Sequence, residues 1–170
     1  PVKRVRDVVG VFALAAREIP SALVMVGDGP DRVEAEQEAR RLDVADQVFF
    51  LGKLESVAPL LACADLFLLP SQNESFGLSA LEALATGVPV IGTHAGGLPE
   101  VVRDGETGAL LPVGDVAGMA AAAVGFLSEP ARWAAASQLA ARDARARFGL
   151  DQVVASYESF YRRALLDRVP

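Results

Sequence analysis

Leu66-Phe67-Leu68-Leu69-Pro70-Ser71-Gln72-Asn73-Glu74-Ser75-Phe76-Gly77-Leu78-Ser79-Ala80-Leu81-Glu82 reads as a strand, a turn and the first turns of a helix. The apolar run Leu66 to Leu69 is a buried strand closed by Pro70. The helix that follows stops near Thr86-Gly87, where a glycine suits a helix C-terminus. Two glutamates, Glu74 and Glu82, therefore bracket a turn at the carboxyl end of a strand, the place where open parallel sheets collect ligands. Between them the amides of Ser75, Phe76, Gly77 and Leu78 lie near a helix N-terminus, which favours phosphate. The carboxylates suit hydroxyls instead. A diphosphate in the middle with hydroxyls at both ends describes a nucleotide sugar.

Outward from this stretch, strands and helices alternate. Val5, Val8, Val9, Phe12 and Ala16 recur at helical spacing. Ala22 to Val26 is a short strand before Gly27-Asp28-Gly29-Pro30, and Pro30 suits the first position of a charged helix over Asp31 to Leu42. Val48 to Leu51 is the next strand and Glu55 to Ala62 the next helix. Beyond the central stretch come a strand at Val88 to Ile91, a short helix at Leu98 to Arg103 and an edge-like strand at Gly108 to Leu111. This order predicts an α/β domain with a Rossmann-like, doubly wound parallel sheet covered on both faces. From Asp115 the chain is helical and alanine-rich, with Pro130 opening one helix and Phe148-Gly149 ending it. The last helix carries Leu150, Val153, Val154, Tyr157, Phe160, Tyr161 and Ala164 on one stripe, which is read as core packing.

Composition narrows the function. With 170 residues, 52% of them apolar, the chain is one domain able to bury a core. A net charge of −6 argues against a general nucleic-acid binder. No apolar run approaches a membrane span, and no signal-peptide core follows Pro1, so the expected compartment is cytoplasmic. The single cysteine, Cys63, is read as a buried, inert thiol. Gly27-Asp28-Gly29-Pro30-Asp31-Arg32 imitates a dinucleotide fingerprint but has Arg32 in place of its third glycine, so a turn into a helix is the better account. The only histidine, His94, is read as a loop residue. Neither a metal-ligand motif nor a nucleophile motif occurs, and no cofactor or metal is expected.

Glu74 and Glu82, with Ser75-Phe76-Gly77-Leu78 between them, resemble the signature of retaining glycosyltransferases of family 4, which have the GT-B fold. The resemblance extends through Val26 to Pro30, Phe50-Leu51-Gly52, Ala64-Asp65 and Gly92 to Glu100, and so covers the chain from Lys3 to about Pro112. It implies the C-terminal, donor-binding half of a two-domain enzyme. The first strand of the sheet and an acceptor domain would then precede Pro1. Glu74 would orient the transferred sugar and Glu82 would hold the ribose hydroxyls. Ser75, Phe76, Gly77 and Leu78 would meet the diphosphate through the backbone, and Lys3 would neutralise it as it leaves. Gly27, Phe49 and Gly52 would line the donor cleft, with the base near Phe49 and Gly52. The expected partners are a UDP-sugar donor, with N-acetylglucosamine as its sugar, and a small acceptor such as L-malate bound mainly by the other domain. A homo-oligomer is left open. A non-catalytic nucleotide-sugar module and a sugar-nucleotide epimerase would use the same residues.

Overall fold

The computed structural model describes residues 2–166. Helix α1 (Val5–Ala15) leads to strand β1 (Leu23–Val26), helix α2 (Arg32–Arg41), a single 3-10 turn and strand β2 (Val48–Gly52). The short α3 (Ala58–Leu61), β3 (Phe67–Leu69), α4 (Leu78–Ala85), β4 (Val90–Thr93), α5 (Leu98–Val101) and β5 (Gly108–Leu111) follow. Three helices end the chain: α6 (Val116–Leu127), α7 (Pro130–Phe148) and α8 (Leu150–Leu166). The Rossmann-like reading holds, and every strand pairing is parallel.

The sheet differs from expectation in being two pieces, β1–β2 and β3–β4–β5. α1 joins them from one side. Its Val9, Phe12 and Ala13 pack with Val48, Leu23 and Met25, while Val11 and Leu14 belong to a second cluster with Ile91, Met119 and Phe126. Cover on both faces is found only in the larger sheet, where all of β4 is buried. On β1 and β2 the outward-facing Val24, Val26, Phe49 and Leu51 are exposed. Alternation puts every second side chain on the face opposite α1 and α2, and no described helix covers it.

Element boundaries moved in ways local geometry explains. Pro30 lies ahead of α2, because Asp31 caps the helix and Arg32 is its first residue. The helix read over Glu55 to Ala62 shrinks to one turn, α3, with Pro59 in its first turn. Asp115 ends the loop before α6 and accepts from the Gly118 amide at 2.8 Å.

Two packing expectations are overturned. α8 contributes no buried residue, and Leu150, Val154, Tyr157, Phe160 and Tyr161 stand in solvent. The stripe exists as read, but α8 packs mainly against α7, so no sheet lies under its apolar side. Cys63 is exposed. It follows buried Leu61 by two residues in a helical turn, which carries it to the opposite side.

Candidate donor-binding site

The central turn forms as the sequence indicates. β3 ends at Leu69, just before Pro70, and the chain then loops through Glu74 to Gly77, which caps α4 with φ +93°. That left-handed conformation suits glycine. A Cβ there would also press on Leu98 at 3.0 Å. Phe76 turns inward and meets the Phe148 ring edge to face, with centroids 5.6 Å apart. Leu78 and Glu82, four residues apart, share one face of α4, and both are exposed. Among the described residues the Glu82 carboxylate has no side-chain partner, so it is available to a ligand.

Lys3 and Glu74 are 71 positions apart in sequence, yet they form an ion pair. Lys3 stands at the entry to α1 with its side chain 57% exposed, whereas the Glu74 side chain is only 11% exposed. Its neighbours are committed elsewhere: Arg4 binds Asp7 at 2.7 Å and Arg6 binds Glu38 at 3.2 Å. The Val2 carbonyl accepts from the Gln72 amide at 2.8 Å, which ties the chain before α1 to the loop after β3.

The loop after β4 closes against the same turn. Gly97 donates its amide to the Glu74 carbonyl at 2.7 Å. A Cβ on Gly96 would lie 2.0 Å from the Glu74 carbonyl oxygen, and one on Gly97 would lie 2.5 Å from that of Ser75. These glycines therefore permit contact between two backbones, a role the sequence did not disclose. His94 is exposed in this loop, as read.

The other predicted residues lie in the smaller sheet. Gly27 and Gly52 end β1 and β2, and the Gly27 amide donates to the Gly52 carbonyl at 2.8 Å. Both have positive φ, +120° and +68°, which shapes a rim at the carboxyl ends of the strands. Phe49 is displaced from the end of its strand. It is the second residue of β2 and is 51% exposed on the bare face.

Two residues escaped the sequence reading. Ser71, fully buried, donates its hydroxyl to Glu74 Oε1 at 3.0 Å. Thr93, also fully buried, donates to the Ser71 carbonyl at 2.6 Å. Their one visible signal was position, each at the carboxyl end of a strand beside the central turn. A separate cleft of about 500 Å³ lies between α1 and α2. Several of its charges pair with one another: Arg4 with Asp7, and Glu38 with Arg41 and Arg6, which lower the Glu38 pKa to about 2. Glu82 and the amides of Phe76, Gly77 and Leu78, which among the described residues donate to no acceptor, lie instead beside the carboxyl end of β3. Among the described residues no cluster of three or more metal-binding side chains occurs.

Comparison with known proteins places the chain in a family. A family model described as glycosyl transferases group 1 matches residues 1–129. An N-acetyl-alpha-D-glucosaminyl L-malate synthase from Bacillus anthracis is 44% identical over 98% of this chain and 44% of its own length. A D-inositol 3-phosphate glycosyltransferase from Mycobacterium avium is 38% identical over 89% of this chain and 38% of its length. Among solved structures, Anabaena Alr3699/HepE in complex with UDP superposes with a TM-score of 0.81 at 28% identity, over 94% of this chain and 46% of that one. The chain thus spans less than half the length of the relatives it matches. Its sequence and its parallel sheets agree: the chain belongs to the glycosyl transferases group 1 family, with the GT-B type of Rossmann-like domain.

Proposed function

We propose that residues 1–170 bind the donor of a retaining glycosyltransferase, a UDP-sugar. The observation that carries this is the Lys3–Glu74 pair beside the N-terminus of α4. A sugar diphosphate presents hydroxyls on one side of its anomeric bond and anionic oxygens on the other. An ammonium touching a carboxylate, next to free helix amides, matches that change of polarity over a few ångströms. Lys3 and the amides of Phe76, Gly77 and Leu78 would stabilise charge developing on the diphosphate as the sugar departs. Glu74 would receive sugar hydroxyls, and Glu82 would hold the ribose. Gly27, Gly52 and the strand between them would border the base.

The donor sugar is proposed as N-acetylglucosamine and the acceptor as L-malate, as in bacillithiol assembly, on the strength of the first relative's name and its 44% identity. The acceptor would bind mainly to a domain outside residues 1–170. We also propose that a strand preceding Pro1 lies beside β3. The Val2–Gln72 hydrogen bond, which brings the chain just after Pro1 to the loop that follows β3, supports this reading.

Calorimetry with UDP, and transfer assays on the full-length protein, test the reading. Glu82→Ala should weaken UDP and donor together, by about 10- to 150-fold for a lost hydrogen bond to a charged group. Glu74→Ala should damage transfer while leaving UDP affinity near wild type. Equal losses of UDP affinity in both variants would refute this division of roles. An acceptor panel of malate, inositol phosphate and lipid-linked sugars tests the pair separately, and turnover only with a non-malate acceptor would overturn it.

A further inference from the structure

We infer that Ser71 is a positioning residue that holds the Glu74 carboxylate in place when Lys3 leaves it. The inference rests on the donor reading above. In the free protein both Lys3 Nζ and Ser71 Oγ donate to the same oxygen, Glu74 Oε1. Among the described residues no donor reaches Oε2, so that oxygen is available for a sugar hydroxyl. A bound diphosphate competes for the Lys3 ammonium, which is exposed and carried on a flexible stem. Once Lys3 turns to the phosphate, the ion pair no longer fixes the glutamate rotamer. Ser71 does.

The serine is itself held from behind. It is fully buried directly after Pro70, and its carbonyl accepts from the buried Thr93 hydroxyl at 2.6 Å. Thr93 is the last residue of β4, whose four residues are all buried. The chain of contacts therefore runs from the most enclosed strand through Thr93 and Ser71 to Glu74. At the other end of the glutamate, the Gly97 amide fixes its carbonyl at 2.7 Å. Backbone and carboxylate are anchored separately, and rotation about the side-chain bonds is the freedom that Ser71 removes. Preorganisation of this kind affects transfer more than binding of the product nucleotide, because UDP lacks the sugar that Glu74 addresses.

A double-mutant cycle in the full-length protein tests this, with sugar transfer and UDP affinity read in parallel. Ser71→Ala should lower kcat/KM about tenfold, the lower end for a hydrogen bond to a charged acceptor, with UDP affinity within about twofold. In a Glu74→Ala background the same substitution should cause no further loss, because the group it positions is gone. Thr93→Val should reproduce part of the Ser71→Ala defect, also only when Glu74 is present. If Glu74→Ala is impaired while Ser71→Ala transfers like wild type, the positioning role is wrong and the donor reading stands. If the two losses multiply in the double variant, Ser71 acts independently of Glu74 and the inference is overturned. If Glu74→Ala transfers normally, the donor reading fails and the inference with it.

Discussion

The two sheet pieces are built from the same material and are buried very differently. In β3–β4–β5 the middle strand is enclosed on both faces by α4 and α7 on one side and α1 and α6 on the other. In β1–β2 one face packs on α1 and α2, and the other presents valines, a leucine and a phenylalanine to solvent. The side chains with exacting positions, Ser71, Glu74 and Thr93, sit at the end of the enclosed piece. The open piece offers mainly backbone, at Gly27 and Gly52. Side-chain chemistry needs a rigid support, since a neighbour packed on every side leaves a rotamer no alternative. Main-chain contacts to a base require less of the surrounding packing.

The most damaging test of this contrast is a cavity in the enclosed piece. Ile91 is fully buried in β4, two residues before Thr93. Ile91→Ala should cost about 4 kcal/mol in urea unfolding, from lost transfer energy and the void left behind. It should also loosen the support of Ser71 and Glu74. Retention of near wild-type stability would mean that β4 is not the frame of the site.

How much of this was legible depended on the range over which the information acts. The turn from Leu69 to Gly87 could be read because its strand, its glycine cap and its helix are all local. Family resemblance gave Lys3 and Glu74 separate roles on one donor, but their pairing was not read, since nothing local relates positions 71 residues apart. The Ser71 and Thr93 contacts were not legible at all, because a buried hydroxyl has no periodic signature. Periodicity marked the apolar side of α8 correctly and could not say what covers it. The buried reading of Cys63 fails for the same reason: a pattern states which side a residue faces, and only tertiary packing states whether that side is occupied. The break between β1 and β3 was equally silent, as the alternation of strands and helices is the same for one sheet or two.

The next test concerns the helices over the open piece. Burial opposes the charge on Glu38, but hydrogen bonds from Arg41 first and Arg6 second lower its pKa from 4.5 to about 2. A carboxylate with a depressed folded pKa stabilises fully above its unfolded value and loses that contribution as pH falls through the folded one. Stability should therefore decline between pH 4.5 and about 2 as this group protonates. Glu38→Gln should flatten that part of the profile and cost about 1 kcal/mol at neutral pH, a modest figure because both arginines are more than half exposed and screened. An unchanged acid limb in the variant would show that Glu38 does not clamp α1 to α2.

The sharpest comparison uses one substitution in both pieces, and it ends on the smallest expected effect. Val→Thr exchanges a methyl for a hydroxyl at nearly constant volume, so its cost reports whether the new polar group remains in water. Val90 is fully buried in β4, and Val24 is 41% exposed in β1. Val90→Thr must bury a hydroxyl among apolar neighbours and should cost about 2 kcal/mol. Val24→Thr leaves the hydroxyl wet on the bare face and should change stability by less than about 0.5 kcal/mol in residues 1–170. The same Val24→Thr measured in the full-length protein decides whether that face stays bare. A rise toward the Val90 value would show that another part of the polypeptide covers β1 and β2. Equal, small effects in both lengths would mean that the contrast between the two pieces belongs to the native protein itself.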